Sequence, residues 1–403
     1  MGNYLNPVND GFKESIDSDI YVDKTGLLMY TNKYLCTKQK FLCVSRPRRF
    51  GKSMALEMLA AYYSCGCDSR ELFRGLKIES DLAFTEHLNK YDVIYLDMQE
   101  FLIGAGNRGL TEYLEQQVLW ELREEYGMLL KEPDVRIVNV LARIHEKTGR
   151  KFIFLIDEWD CVIRERQKSE ELQKQYLDFL RYLLKDKRYV ALTYMTGILL
   201  IKKYGNPTEL DLHSALNMFT EYSMTNQKVL EEYTGFTEEE VRELCERFDM
   251  NFEEMSSWYD GYRLRRFHHV YNPKSVVEAM LDHRCASYWT VTETYDALKI
   301  YIDRDFNGLR EDIIQMLGGG HVKVNIQSFQ NDMWTFRTKD DVLTLLIHLG
   351  YLAYDLEREE VFIPNNELLG EFKNAMSTGG WDEVMAILNA SENLLQDTLN
   401  CRE

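Results

Sequence analysis

FLCVSRPRRFGKSMALEMLA, residues 41–60, is the stretch on which the fold turns. Residues 41–45 have strand character, a basic turn follows, and after Gly51-Lys52-Ser53 comes an apolar run at helical spacing. In a strand–loop–helix context such a tripeptide reads as a phosphate-binding loop. Backbone N–H groups at the helix start point at the anion, and the helix dipole favours its charge. Lys52 is then expected on the β- and γ-phosphates and the Ser53 hydroxyl on Mg²⁺. The usual spacing puts a glycine five positions before Gly51, where this chain has Arg46. Arg46, Pro47, Arg48, Arg49 and Phe50 fill the loop instead. Taken alone, the stretch leaves open a basic turn before an ordinary helix.

The rest of the first half bears on that choice. Residues 91–97 (YDVIYLD), 152–156 (FIFLI), 189–196 (YVALTYMT) and 218–224 (MFTEYSM) read as further strands. Amphipathic segments at 111–126, 135–147 and from Leu172 to Leu183 alternate with them as helices. Continuous apolar strands between helices predict an α/β fold, a mostly parallel doubly wound sheet covered on both faces. Ahead of the first strand, Asp23 is a candidate N-cap for a helix beginning near Thr25. That segment either folds over a nucleotide base or is merely a capped helix.

Hydrolysis of a nucleoside triphosphate needs a metal, a base for water and a sensor of the γ-phosphate. Asp157 ends an apolar strand where ligands of open parallel sheets bind, and it is the expected metal carboxylate. Glu158 follows directly and is the expected general base. The competing reading is a strand that simply ends in acidic loop residues. Asp97 also ends an apolar strand and ranks second for the metal, because Met98 and not an acid follows it. Thr196 is the sensor candidate, against a satisfied strand-end threonine. Lys202 and Lys203 are either phosphate contacts or solvated helix lysines. The conjunction of a Gly-Lys-Ser loop and an Asp-Glu strand end roughly one hundred residues later predicts a nucleotide-hydrolysing P-loop NTPase.

Composition narrows the partners. The 403 residues suffice for two or three domains, and 45% hydrophobic with 28% charged residues is an ordinary globular balance. A formal net charge of −18 argues against broad coating of nucleic acid or anionic membrane. No apolar run reaches the length of a membrane span and no signal-peptide pattern opens the chain, so a cytoplasmic protein without membrane attachment is expected. Eight cysteines without zinc-site spacing are expected to be reduced and mostly buried.

From Gly235 the alternation stops. Thr237 with Glu240 predicts a capping box, Asn272-Pro273 a second helix start, and residues 338–349 a third helix. Residues 351–356 and 361–364 predict a hairpin, suggesting a winged-helix end to a mostly helical second domain. The expected division is 1–234 for the nucleotide domain, 235–364 for the helical domain and 365–403 for a helical tail. Within 258–271 (WYDGYRLRRFHHVY), Arg263, Arg265, Arg266, His268 and His269 lie among aromatics. They would contact nucleotide or DNA, or form a surface loop packing its aromatics.

With these residues in view, the chain resembles the bacterial AAA-ATPase-like family usually fused to a C-terminal PD-(D/E)XK nuclease domain. The motifs are YVDKTGLL from Tyr21, RPRRFGKS from Arg46, LFRGLKI from Leu72 and LIDEWD from Leu155. MTGILLIKKYG from Met195, SALNMF from Ser214, WYDGY from Trp258 and YNPKSV from Tyr271 continue the match. The arginine at the first glycine position belongs to that family's pattern. The resemblance carries ATP to Lys52 and Ser53 and the acidic roles to Asp157 and Glu158. The expected site therefore has ATP on Arg46, Arg48, Arg49, Phe50, Gly51, Lys52 and Ser53, Mg²⁺ on Ser53 and Asp157, and catalysis by Glu158 with the sensor candidate Thr196. Two departures stand out. NPTELDLH at 206–213 looks longer than expected after the sensor strand. The nuclease part would follow about residue 364 and is missing, so no nuclease activity is expected. A Mg²⁺-dependent ATPase motor or switch is the expected function, with DNA and a second copy of the chain as candidate partners. A nucleotide-gated adaptor with little turnover is the alternative.

Overall fold

Four short, mostly apolar runs and the three-residue segment Thr220–Tyr222 become the strands of one parallel sheet. They are β1 (Phe41–Ser45), β2 (Asp92–Asp97), β3 (Phe152–Asp157), β4 (Val190–Gly197) and β5 (Thr220–Tyr222). The computed structural model describes residues 2–130, 136–166, 169–201, 216–226, 230–266, 269–289, 308–327, 329 and 336–377. A first unit runs through Thr234 and a second begins at Gly235.

The sheet order is β2-β3-β4-β1-β5, with every pairing parallel. From β1, beside the edge strand β5, the chain jumps to β2 at the far edge and returns through β3 to β4 at the centre. Helices are α1 (Asp10–Ile16), α2 (Gly26–Tyr34), α3 (Lys52–Tyr63) and α4 (Phe84–His87). After them come α5 (Met98–Ala105), α6 (Leu110–Tyr126), α7 (Ile137–Thr148), α8 (Cys161–Glu165) and α9 (Glu170–Leu184). Because side chains alternate along a strand, Leu42, Val44, Val93, Ile153, Leu155, Leu192 and Tyr194 share a core with α2 and α3. The alternate positions Cys43, Ile94, Leu96, Phe154, Ile156 and Met195 are equally buried. A sheet apolar on both faces needs a helical layer on each, which is the doubly wound P-loop NTPase fold expected above.

Residues 2–6 lie along the outer edge of β2. The Tyr95 N–H donates to the Tyr4 carbonyl at 2.8 Å and the Asn6 N–H to that of Val93 at 2.7 Å. Glu121 of α6 accepts the N–H groups of Asn3, Tyr4 and Leu5 at 2.7, 2.9 and 2.6 Å. At α2 the expected cap shifts: Thr25 is the N-cap residue, and Asp23 Oδ1 accepts its N–H and its hydroxyl at 2.8 and 2.6 Å. Asp23 thus forms a turn ahead of the helix, since its carboxylate reaches a donor two residues on before any helical N–H.

In the second unit Thr237 forms the capping box of Glu238–Phe248, and Asn272 caps Pro273–Asp282 through the N–H groups of Lys274 and Ser275. The strand Val322–Lys323 pairs with Glu360–Phe362, which pairs in turn with Ala353–Asp355. The helix Lys339–Leu349 precedes that hairpin. Glu367, on the helix Asn366–Ser377, accepts the N–H groups of Tyr288 and Trp289 and the Ser275 hydroxyl at 2.7, 2.8 and 2.9 Å.

Among the described residues seven cysteines are unpaired. Cys43, Cys161, Cys245 and Cys285 are buried, whereas Cys36 and Cys65 are exposed and Cys67 is half-buried. The expectation of mostly buried thiols therefore holds for only part of the set. No helix of the described residues is long and apolar enough to cross a membrane. Lys202, Lys203, the 206–213 segment, Ser214, His268, residues 378–403 of the tail and Cys401 lie outside the described residues.

Candidate nucleotide-binding site

Parallel pairing gathers the C-terminal ends of the strands on one edge, and the sheet order sets β4 between β1 and β3. Register aligns Ser45 with Gly197, Val44 with Thr196, and Asp97 with Asp157. After Ser45 the chain turns through residues 46–51 and enters α3 at Lys52, with Gly51 as N-cap at φ +77°. That left-handed conformation suits glycine. No side chain caps α3, its first turn holds no acid, and nothing lies within 4 Å of a Cβ built on Gly51. The helix therefore presents uncapped N–H groups beside open space, as an anion site requires.

Lys52 is buried and folds back over the loop, its Nζ donating to the Pro47 carbonyl at 2.9 Å. Burial pushes its pKa down, while Glu158, Asp157 and Asp160 pull it back up. Ser53 is exposed and donates to Asp157 Oδ2 at 2.6 Å. Asp157 Oδ1 accepts the Glu158 N–H at 2.9 Å and the Thr196 hydroxyl. Three donors, from the loop helix, the strand-end turn and the neighbouring strand, thus fix one carboxylate. Thr196 is fully buried, and its hydroxyl is directed at Asp157.

Glu158 follows β3 in the left-handed region at φ +48°. Its carboxylate pairs with Arg164 of α8. Burial pushes the Glu158 pKa up, and Lys52 and Arg164 counter it. Arg164 Nε also lies 3.2 Å from Asp160 Oδ2, and Asp160 is fully buried. The same oxygen of Asp160 accepts the N–H groups of Ile198 and Leu199 at 3.1 and 2.7 Å. Neither Asp160 nor Arg164 was singled out in the sequence. The available signal was their four-residue spacing just past Asp157-Glu158, which suits an ion pair on one helical turn.

Asp97, second in rank for the metal, instead caps α5: its Oδ1 accepts the N–H groups of Gln99 and Glu100 at 2.9 and 3.2 Å. Arg46 turns away from the loop mouth. Its guanidinium is buried, donating to Thr234 Oγ1 at 3.1 Å and to the carbonyls of Ser45 and Tyr222 at 3.0 and 3.1 Å. Burial lowers its pKa to about 10. Phe50 is likewise buried, so Arg46 and Phe50 offer a ligand their backbone and not their side chains. Arg48 and Arg49 are partly exposed, with Arg49 at φ +71°.

The residues present fit a Mg²⁺–nucleotide pair. The uncapped helix start and Lys52 suit phosphate oxygens, and the Ser53–Asp157 hydroxyl–carboxylate pair offers the oxygen ligands Mg²⁺ takes alongside phosphate oxygens and water. Among the described residues no group of three His, Cys, Asp or Glu side chains forms a metal cage of its own.

In the second unit, Arg263 pairs with Asp355 at 2.7 Å and lies over the Phe362 ring at 4.9 Å. His269 Nδ1 lies 2.5 Å from Asp260 Oδ2, and Arg265 and Arg266 are exposed. These contacts tie Arg263 and His269 into the unit's own packing.

Three comparisons bear on the family. A curated relative from Azotobacter chroococcum mcd 1, "Uncharacterized protein in vnfD 5'region", is 25% identical over 284 residues, 69% of this chain. The match covers 51% of that protein, so the chain spans about half the length of the curated relative. Among solved structures, the Aeropyrum pernix ORC2 protein in its ADPNP-ADP complexes aligns with a TM-score of 0.37 and 9% identity. That alignment covers 90% of this chain and 97% of the other, and at this score no argument rests on it. Residues 10–205 match the model of the AAA-ATPase-like family, described as predicted AAA-ATPases, so this segment is similar to that family.

Proposed function

We propose that the first unit binds Mg²⁺·ATP on residues 46–53 and hydrolyses its β–γ phosphoanhydride bond. The observation that carries this reading is the 2.6 Å hydrogen bond from Ser53 to Asp157, which joins the two expected metal ligands one residue from Lys52. Bound Mg²⁺ would supply neutralisation of charge on the phosphate oxygens. The rest of the chemistry falls to the chain. The N–H groups at the start of α3 receive the phosphates, and Lys52 exchanges the Pro47 carbonyl for a phosphate oxygen. Thr196 and the Glu158 N–H hold Asp157 in place for the metal. The Glu158 carboxylate accepts the proton of the attacking water as its oxygen bonds to the γ-phosphorus and the bond to the ADP oxygen breaks. In this reading the second unit, with a winged-helix-like end, is the part that responds to the cycle. DNA at its basic loop and a second copy of the chain are the partners consistent with it.

The test is Glu158→Gln, which keeps shape and hydrogen bonding while removing the base. Binding of a fluorescent ATP analogue should persist, and single-turnover hydrolysis should slow roughly a hundred-fold or more, the usual scale for losing a general base. Hydrolysis at the unmodified rate overturns the assignment.

A further inference from the structure

We infer that Arg164 is the positioning residue for the Glu158 carboxylate, tying it to the backbone that follows β4. The inference rests on the proposed ATPase reading, in which Glu158 is the base. Its footing is geometric. Arg164 uses Nη2 on Glu158 Oε2 and Nε on Asp160 Oδ2, so one planar guanidinium spans two carboxylates. Its side chain is 10% exposed, Asp160 is fully buried, and Asp160 also accepts the N–H groups of Ile198 and Leu199. Glu158 is thereby linked through Arg164 and Asp160 to the two residues just past Thr196 and Gly197.

The consequence for the reaction is directional. A glutamate in a strand-end turn has free rotation about its side-chain bonds unless something holds it. With Oε2 engaged by Arg164, the carboxylate plane is set and Oε1 is the oxygen left to receive a proton. Lysine cannot substitute in this arrangement, because a point ammonium on a flexible stem does not bridge two carboxylates as a rigid fork does. A base held in the wrong orientation loses rate without losing substrate affinity.

Arg164→Lys is the informative variant, since it keeps a buried cation between two acids and so avoids leaving them unpaired. Single-turnover hydrolysis and ATP affinity are to be measured for R164K, E158Q and the double variant. The expected result for R164K is a rate roughly ten- to a hundred-fold lower with ATP affinity nearly unchanged. On the E158Q background, R164K should cause no further loss, because its effect passes only through the Glu158 carboxylate. A purely structural role would lower the rate by the same factor on both backgrounds, and that result overturns the proposal, as does R164K at the unmodified rate. If R164K fails to fold by circular dichroism, R164Q is read in the same way; loss of fold in both assigns Arg164 to stability and ends the proposal. E158Q at the unmodified rate sinks the ATPase base assignment and this inference together. A full E158Q defect beside an unimpaired R164K sinks the inference alone.

Discussion

Asp157→Asn separates a metal ligand from a structural acid. In the unliganded chain Asp157 receives three donors: Ser53 on Oδ2, and the Glu158 N–H and Thr196 hydroxyl on Oδ1. Asparagine keeps one oxygen for the latter two, and its amide can donate to Ser53, whose hydroxyl rotates to accept. The count of hydrogen bonds is preserved, and what is lost is their charge assistance, about 1 kcal/mol for each bond. Removing one negative charge from beside Glu158 and Asp160 offsets part of that loss. Three such losses would lower the unliganded melting temperature by about 6–12 °C, and the offset brings the expected fall below that range. Mg²⁺·ATP at a hundred-fold over its Kd stabilises the unmodified chain by about 2.7 kcal/mol. For a unit of this size each kcal/mol moves Tm by about 2–4 °C, giving a shift of roughly 5–11 °C. Thermal melts with ATP in Mg²⁺ and in EDTA should show that the variant loses the Mg²⁺-dependent part of the shift. A variant that keeps it refutes the assignment of Asp157 to the metal.

Other changes address the surroundings. A Cβ on Gly197 would stand 2.6 Å from Trp159 Nε1 and 2.8 Å from Asp160 Oδ1, both on buried side chains with little room to move. Gly197→Ala should cost about 1–3 kcal/mol by overpacking and lower Tm by about 2–12 °C; an unaltered melt would show that the turn relaxes. Glu367 has its pKa raised to about 7, first by burial, against the donors that favour its charged form. The folded state therefore binds this proton more tightly than the unfolded chain does. Its contribution to stability is full below the ordinary glutamate range and declines as pH rises toward 7. Glu367→Gln should flatten the dependence of stability on pH between about 4.5 and 7, measured by urea unfolding at a series of pH values. An unchanged slope would place the titration elsewhere.

The parallel sheet was legible because β1 to β4 are short, largely apolar runs, two of them ending in an acid at Asp97 and Asp157. Hydrophobic continuity reports burial on both faces, whereas the order of the strands in the sheet was not read from the sequence. What was not legible concerns the direction of polar side chains. Arg46 sits in the loop sequence, yet its guanidinium turns inward to carbonyl oxygens that sequence does not place beside it. Asp97 and Asp157 end neighbouring strands in register, and only the start of α5 at the next residue converts Asp97 into a helix cap. Arg164 escaped because an arginine on a short helix is ordinarily solvated. Its role depends on Glu158 turning toward it through a left-handed backbone. Asp23 failed as a cap for a related reason, since a side chain two residues ahead of a helix can serve the turn before it serves the helix.

The outer edge of the sheet carries an implication for how the chain reaches this state. Asn6 meets Val93 across 87 residues, and Asn3, Tyr4 and Leu5 meet Glu121 across 118, 117 and 116. These residues leave the ribosome long before any of their partners, and loop closure over such distances is slow to be rewarded. Until α6 has emerged, β2 presents a bare row of N–H and C=O groups, the arrangement through which nascent chains pair with one another. The Glu121 carboxylate, by gathering three successive N–H groups, makes sealing of that edge a single cooperative event late in synthesis.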